Sequence, residues 1–349
     1  MILDPVLDLF RGKAVTIPPM DGALRPNTAL DECENVVDVE APDNLCFDGE
    51  HVLFSCGSDV FGLSRSETVP LGNHELPVAA MAAGPGRRAI ALENGTIVIE
   101  HGSRTQMIPA PNGYSCPTAV AFADAATLFV CHGSSRHDAR DWVIDLMEKN
   151  ATGALWKIEL DTGRQTKVAG GLAFPYGVLA RPDGVVVSEA WKHRLVLVSR
   201  DGRVQPVLTK LPAYPARLAP ASDGGAWLAL FAPRNRLIEF ILREEEYRRA
   251  MMREVPREHW IAPALASGAT FLEPLQCGGV KTMGIHKPWS PSRSYGLLAR
   301  LDRELQPIES FHSRADGKRH GVTSMVEADE CLYVSAKGGG AVLRLSTGS

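Results

Sequence analysis

The strongest constraint on the fold is a repeat. A two-strand unit returns six times along the chain, several of the spacings being about 40 residues. The copies are Pro42–Phe54, Pro77–Leu92, Pro117–Val130, Phe174–Glu189, Tyr214–Ala229 and Gly321–Ser335. Each opens at or just before a Pro or Gly, runs through a short apolar stretch, turns at Asp or Gly, and returns through a run rich in Val, Leu, Phe or Tyr. Further strands follow, such as Gly153–Ile158 before Asp161-Thr162-Gly163 and Arg194–Ser199 before Asp201-Gly202. A repeat of this length suits one four-stranded blade, and six copies predict an all-β, six-bladed β-propeller. The chain is read as one domain over residues 1–349, with residues 1–40 joining the outer strands.

Two intervals depart from the pattern. Asp138–Asn150 places Trp142, Ile144, Leu146 and Met147 at helical spacing within the third unit. Leu237–Arg253 does the same with Leu237, Phe240, Ile241 and Tyr247, inside a longer helical and loop insertion over 236–292 between units five and six. Both are expected to lie over one end of the propeller, where loops commonly shape a pocket.

Composition narrows the partners. Net charge is -4 and no long basic run occurs, so a nucleic-acid partner is not expected. The first twelve residues lack the charged and apolar regions of a signal peptide, and no stretch is apolar enough to span a bilayer. Seven scattered cysteines without a CxxC pair are expected as free, mostly buried thiols in a reducing compartment, a disulfide from Cys33 or Cys46 being the alternative. The reading is therefore a cytoplasmic protein that acts on a small molecule, with no membrane partner. Nothing in the sequence fixes the oligomeric state.

The run Phe174-Pro175-Tyr176-Gly177-Val178, continued by Arg181-Pro182-Asp183-Gly184 and Val187-Ser188-Glu189-Ala190-Trp191, resembles the pattern of strictosidine synthase-like proteins and the gluconolactonase propellers. Supporting runs at Leu211–Leu218, Ser222–Trp227, Ala232–Asn235 and Val322–Ser335 keep the same order. The resemblance implies a metal such as Ca²⁺ on the axis, held by carboxylates and amides at the starts of the innermost strands. The matching positions here are altered. Asp43, with Asn44 beside it, stands where the family has Glu; Thr118 and Tyr176 each replace an Asn, and Ala216, followed by Arg217, replaces an Asp. Thr323 stands where strictosidine synthase carries its Glu base. One carboxylate remains, so no cofactor is assigned, and Asp43 and Asn44 are the residues left to contact a metal.

The resemblance implies an axial pocket containing Asp43, Asn44, Thr118, Tyr176, Arg217, Thr323 and Ser324. His132 at a strand end is the acid–base candidate, since imidazole titrates near neutrality, or else a structural histidine. Arg217 either anchors an anionic substrate or forms a salt bridge to Asp43. Tyr176 either donates to a carbonyl oxygen or closes the axis. Glu189 either approaches the pocket or partners Arg and backbone amides. His286 and Lys287 belong either to a lid or to a solvated loop. The expected activity is hydrolysis of a lactone or related ring, catalysed by His132, Asp43 and Tyr176. The alternatives are a metal-independent condensation, isomerisation or lyase reaction, and non-catalytic binding.

Overall fold

The computed structural model describes residues 17–346 except 65, 66, 112, 269, 271 and 274–291. Cys277, His286 and Lys287 lie outside the described residues. Six four-stranded antiparallel sheets form, each in simple up-and-down order from an inner to an outer strand. The inner strands are Asp43–Phe47, Val78–Gly84, Pro117–Phe122, Pro175–Arg181, Ala213–Pro220 and Val322–Ala328. Each packs beside the inner strands of the blades before and after it, closing a ring. The protein is a six-bladed β-propeller.

Closure is made by the N-terminal side of the chain. Glu34–Asp38 pairs antiparallel with the last strand, Ala341–Ser346, and becomes the outermost strand of blade six. The segment that precedes blade one and the last strand of blade six thus share one sheet, which ties the ring shut. Separate apolar clusters fill the space between successive blades; Leu53, Ile90 and Val98, for example, pack between blades one and two. Cys46 and Cys131 are buried within such strands, and the described cysteines are free thiols. Burial pushes the thiols of Cys46 and Cys116 up to about 12.

Every inner strand shifts register near its start. The irregularity falls between Asp43 and Cys46, Val78 and Ala80, Pro117 and Ala119, Pro175 and Gly177, Pro215 and Leu218, and Val322 and Ser324. A bulge of this kind takes a residue out of the ladder and re-aims its side chain. The residues released are Asn44, Ala79, Thr118, Tyr176, Arg217 and Thr323, with Leu45 and Ala216 beside two of them. Asn44 sits in the left-handed region at φ 62°, which Asn tolerates better than most residues.

The helical insertions form with different bounds from those predicted. Over the third blade a 3₁₀ turn, Ala139–Asp141, leads into α1, Trp142–Glu148. The longer insertion does not separate blades five and six: it lies within blade five, between that blade's second strand, Ala226–Pro233, and its third, Leu297–Leu301, and holds two helices rather than one, α2, Arg236–Arg243, and α3, Glu245–Glu254. Glu244 breaks them, its backbone leaving the helical region, and the buried Arg248 donates to the freed carbonyl of Leu242. Asn235 caps α2 by accepting from the amides of Leu237 and Ile238. Glu239, in the first turn of α2, is tied to the propeller by Arg234 at 2.7 Å and His193 at 3.1 Å. Among the described residues no helix is long and apolar enough to cross a membrane.

Candidate small-molecule site

A cavity of about 270 Å³ opens where the inner strands begin. Its floor is a charged cluster on the axis. Asp43, 4% exposed, accepts from Arg217 Nη1 at 2.6 Å, Thr323 Oγ1 at 2.8 Å and its neighbour Asn44 N at 2.8 Å, all on Oδ1. Its other oxygen takes a bond from Lys337 Nζ at 2.9 Å. Arg217 also donates from Nη2 to the carbonyl of Ala79 at 2.7 Å, and its guanidinium lies 5.2 Å from the centre of the Tyr176 ring. Ala79 has only a methyl group, which leaves room for Arg217 to cross the axis from blade five to blade two.

Burial acts to raise the Asp43 carboxyl, but Arg217 and Lys337 outweigh it and hold the group well below the usual carboxylate range. The same carboxylate keeps the Lys337 ammonium above its ordinary range. Burial, reinforced by Asp43, pushes the Tyr176 phenol up. Near neutral pH the floor therefore presents an anionic Asp43, a cationic Lys337 and a protonated Tyr176.

Aromatic rings form the walls. Phe174 stacks on Trp191 with centroids 4.4 Å apart, Trp142 meets Phe231 edge-on at 5.4 Å, and Tyr176 meets Phe231 at 5.8 Å. Trp191 is held by its indole N–H, which donates to Asp145 of α1 at 2.7 Å. Phe174 has φ 52°, a left-handed backbone unusual for a bulky residue and the kind of local strain that gathers at functional sites. At the rim Arg140 lies 3.4 Å from Glu93, and Arg257 from the second insertion reaches Asp141 at 2.6 Å.

The predicted residues separate into three groups. Asp43, Thr118, Tyr176 and Arg217 line the cavity, and Thr323 supports its floor. The salt bridge between Arg217 and Asp43, one of the two readings of Arg217, is formed. Asn44 and Ser324 serve the ring instead. Asn44 Nδ2 donates to Ser55 Oγ at 2.7 Å and to the carbonyl of Val78 at 3.1 Å, while Ser324 accepts from the amide of Leu45 at 3.1 Å.

Two strand-end residues lie elsewhere. His132 is fully buried at the edge of Tyr114 and is absent from the cavity lining; its ring nitrogens have no hydrogen-bond partner among the described residues, and burial lowers its imidazole to about 4. It is placed as a neutral core residue rather than an acid–base group beside Asp43. Glu189 accepts from the amide of Ala173 at 2.9 Å and pairs with Arg194 and Lys192, fixing the turn that delivers Trp191. Asp43 itself, ionised and fully engaged, is unsuited to act as a base.

Sequence reasoning missed Lys337, Trp142, Trp191 and Phe231. Lys337 opens a Gly-rich run that reads as a plain turn. The glycines there have a packing cause, since a Cβ on Gly338 would overlap the carbonyl oxygen of Leu265.

The axial residues do not fit a divalent cation. Both oxygens of Asp43 are taken by donors, two of them cationic, and Asn44 contributes only a single buried amide oxygen without a donor. A hard cation needs several oxygen ligands and is repelled by a guanidinium at the same point. Among the described residues no group of three His, Cys, Asp or Glu is placed to hold a metal.

A second cavity, about 380 Å³, lies along the same axis and is lined by all six inner strands from Leu45 to Glu327. Arg217 lines both cavities and stands between them.

No protein-family model matches the chain. It is similar to adipocyte plasma membrane-associated protein of Mus musculus, 24% identical over 66% of this chain and 63% of that protein, and of Rattus norvegicus, 24% identical over 66% and 69%. The chain thus spans just under two thirds of the mouse protein's length. Among solved structures, one assigned provisionally as a gluconolactonase aligns over 89% of this chain and 90% of its own, with TM-score 0.54 and 10% identity. A calcium-binding protein, regucalcin, from Agrobacterium tumefaciens aligns over 90% and 93%, with TM-score 0.53 and 11% identity. The chain therefore has the six-bladed fold of the gluconolactonase and regucalcin propellers and a distant sequence kinship with adipocyte plasma membrane-associated protein.

Proposed function

We propose that the protein binds a small, ring-bearing molecule in the cavity at the inner-strand starts and engages a carbonyl or oxyanion of that molecule with Lys337, Tyr176 and Arg217. The observation that carries this reading is the combination of a buried hydrogen-bond-donor floor with aromatic walls. Apolar, concave sites with a few convergent polar groups are the usual form of small-molecule sites. A ligand inserted there exchanges water for stacking against Trp191 and Phe231 and for charge-assisted hydrogen bonds at the floor. A thermal-shift screen of ring-bearing carbonyl compounds tests this. Stabilisation is expected in wild type and its loss in Trp191→Ala, whereas hits unaffected by that substitution would place binding elsewhere.

Hydrolysis of a lactone in the same cavity is a second reading, favoured by two features. The floor donors are of the kind that stabilise the oxyanion of a tetrahedral intermediate. Glu93, on the rim, brings a carboxylate that lies outside the Asp43 cluster. The mechanism would need water activated from the rim side, since Asp43 is engaged and His132 is buried outside the lining. A lactone panel assayed with wild type and Glu93→Gln separates the readings: turnover that falls with Glu93→Gln supports hydrolysis, and binding without turnover supports a non-catalytic receptor.

A further inference from the structure

The floor of the cavity carries an unbalanced charge. Arg217 and Lys337 contribute two positive charges and Asp43 one negative, and each cation is in direct contact with Asp43. The remaining charged residues lining the cavity, Arg140 and Glu93, pair with each other at the rim. One positive charge therefore remains in a partly desolvated place, a costly arrangement unless something completes it.

The donors also remain incomplete. An ammonium has three N–H groups, and among the described residues Lys337 uses one, on Asp43. The hydroxyl of Tyr176 has no partner among the described residues, although its ring is fixed by Arg217, Phe174 and Phe231.

We propose that the cavity selects a monoanion: a carboxylate-bearing aromatic or alicyclic compound whose headgroup accepts from Lys337 and Tyr176 and supplies the second negative charge of the Arg217–Asp43–Lys337 cluster. This rests on reading the cavity as a small-molecule site and adds the charge of its ligand. Cationic compounds are excluded by the same cluster, because an amine would face Lys337 and Arg217. Neutral compounds of the same shape keep the aromatic contacts and lose the ionic ones.

Isothermal titration with 3-phenylpropionate, 3-phenylpropionamide and 3-phenylpropylamine at neutral pH tests the proposal. The carboxylate should bind about tenfold to a hundredfold tighter than the amide, the range of one charge-assisted hydrogen bond, and the amine should not bind. Lys337→Met should abolish the preference, weakening the carboxylate far more than the amide. Tyr176→Phe, which preserves the ring, should reduce the preference and keeps the test available if Lys337→Met does not fold. Equal binding of carboxylate and amide to wild type would overturn the charge inference and leave the cavity reading standing. Failure of all three probes to bind would overturn both.

Discussion

Replacing Asp43 by Ala removes the one anion from the axial cluster and leaves Arg217 and Lys337 facing each other in a buried place. The carboxylate is 4% exposed and accepts from two cations, a hydroxyl and a backbone amide. Breaking a buried ion pair by deleting one partner costs about 3–5 kcal/mol, most of it from the charges left behind. An unfolding entropy of about 2.1 cal/mol/K per residue gives about 0.7 kcal/mol/K for a chain of this size, so Tm should fall by about 4–7 °C. Because the folded carboxyl is held below its unfolded value of 3.8, its stabilisation is complete above that value and is lost as pH falls through the folded one. Lys337 has the opposite sign: its stabilisation is complete below 10.5 and is lost as pH rises through its raised folded value. The deficit of Asp43→Ala should therefore be flat across neutral pH and shrink in strong acid. Thermal unfolding by circular dichroism at several pH values reads this directly. The double variant Asp43→Leu with Arg217→Met should lose less than Asp43→Ala alone, since it removes a charge with its partner. An Asp43→Ala protein that melts with wild type at neutral pH would refute the reasoning.

Other consequences concern the residues that sequence and structure place differently. His132→Leu should melt at or above the wild-type temperature at pH 7, because it removes a buried imidazole without partners. Since burial lowers the folded imidazole from 6.5 to about 4, wild type should lose up to about 3 kcal/mol as pH falls between those values, and the variant should not; parallel curves would contradict this. Burial acts to raise Glu239, but His193 and Arg234 outweigh it and hold it at about 2, so its anchoring of α2 is complete above 4.5 and is lost as pH falls from there through about 2. Glu239→Gln should accelerate hydrogen exchange over Arg236–Glu254 at neutral pH; unchanged exchange would show that α2 is held by packing alone. Excess EDTA or millimolar CaCl₂ should leave Tm unchanged, and a clear calcium-dependent rise would restore an axial metal.

The fold was legible because its signal is redundant. Six copies of a turn, strand, turn and strand mark the inner half of each blade, so no single ambiguous segment decides the architecture. The lining positions Asp43, Thr118, Tyr176 and Arg217 were legible for a related reason: each lies at or beside a bulge that recurs at the same point of every blade. Strand ends gave no comparable guide. His132 and Glu189 both end second strands, yet one is enclosed beside Tyr114 and the other is consumed by Ala173, Arg194 and Lys192. Two residues beyond Glu189, Trp191 is the group that reaches the cavity. Lys337 was hidden because its position depends on the close approach of Gly338 to Leu265, a long-range contact without a local sequence pattern. The division of 236–254 into α2 and α3 was hidden similarly, since the buried Arg248 that stabilises the break has the spacing of an ordinary helical arginine.

The central claim is that ligands enter the propeller axis from the inner-strand starts and meet the Arg217–Asp43–Lys337 floor. A crystal structure with bound 3-phenylpropionate tests it most directly. The account predicts the carboxylate within hydrogen-bond reach of Lys337 Nζ and Tyr176 Oη, with the ring against Trp191 and Phe231. Density for the compound in the opposite cavity, among the strand residues between Leu45 and Glu327, would contradict it.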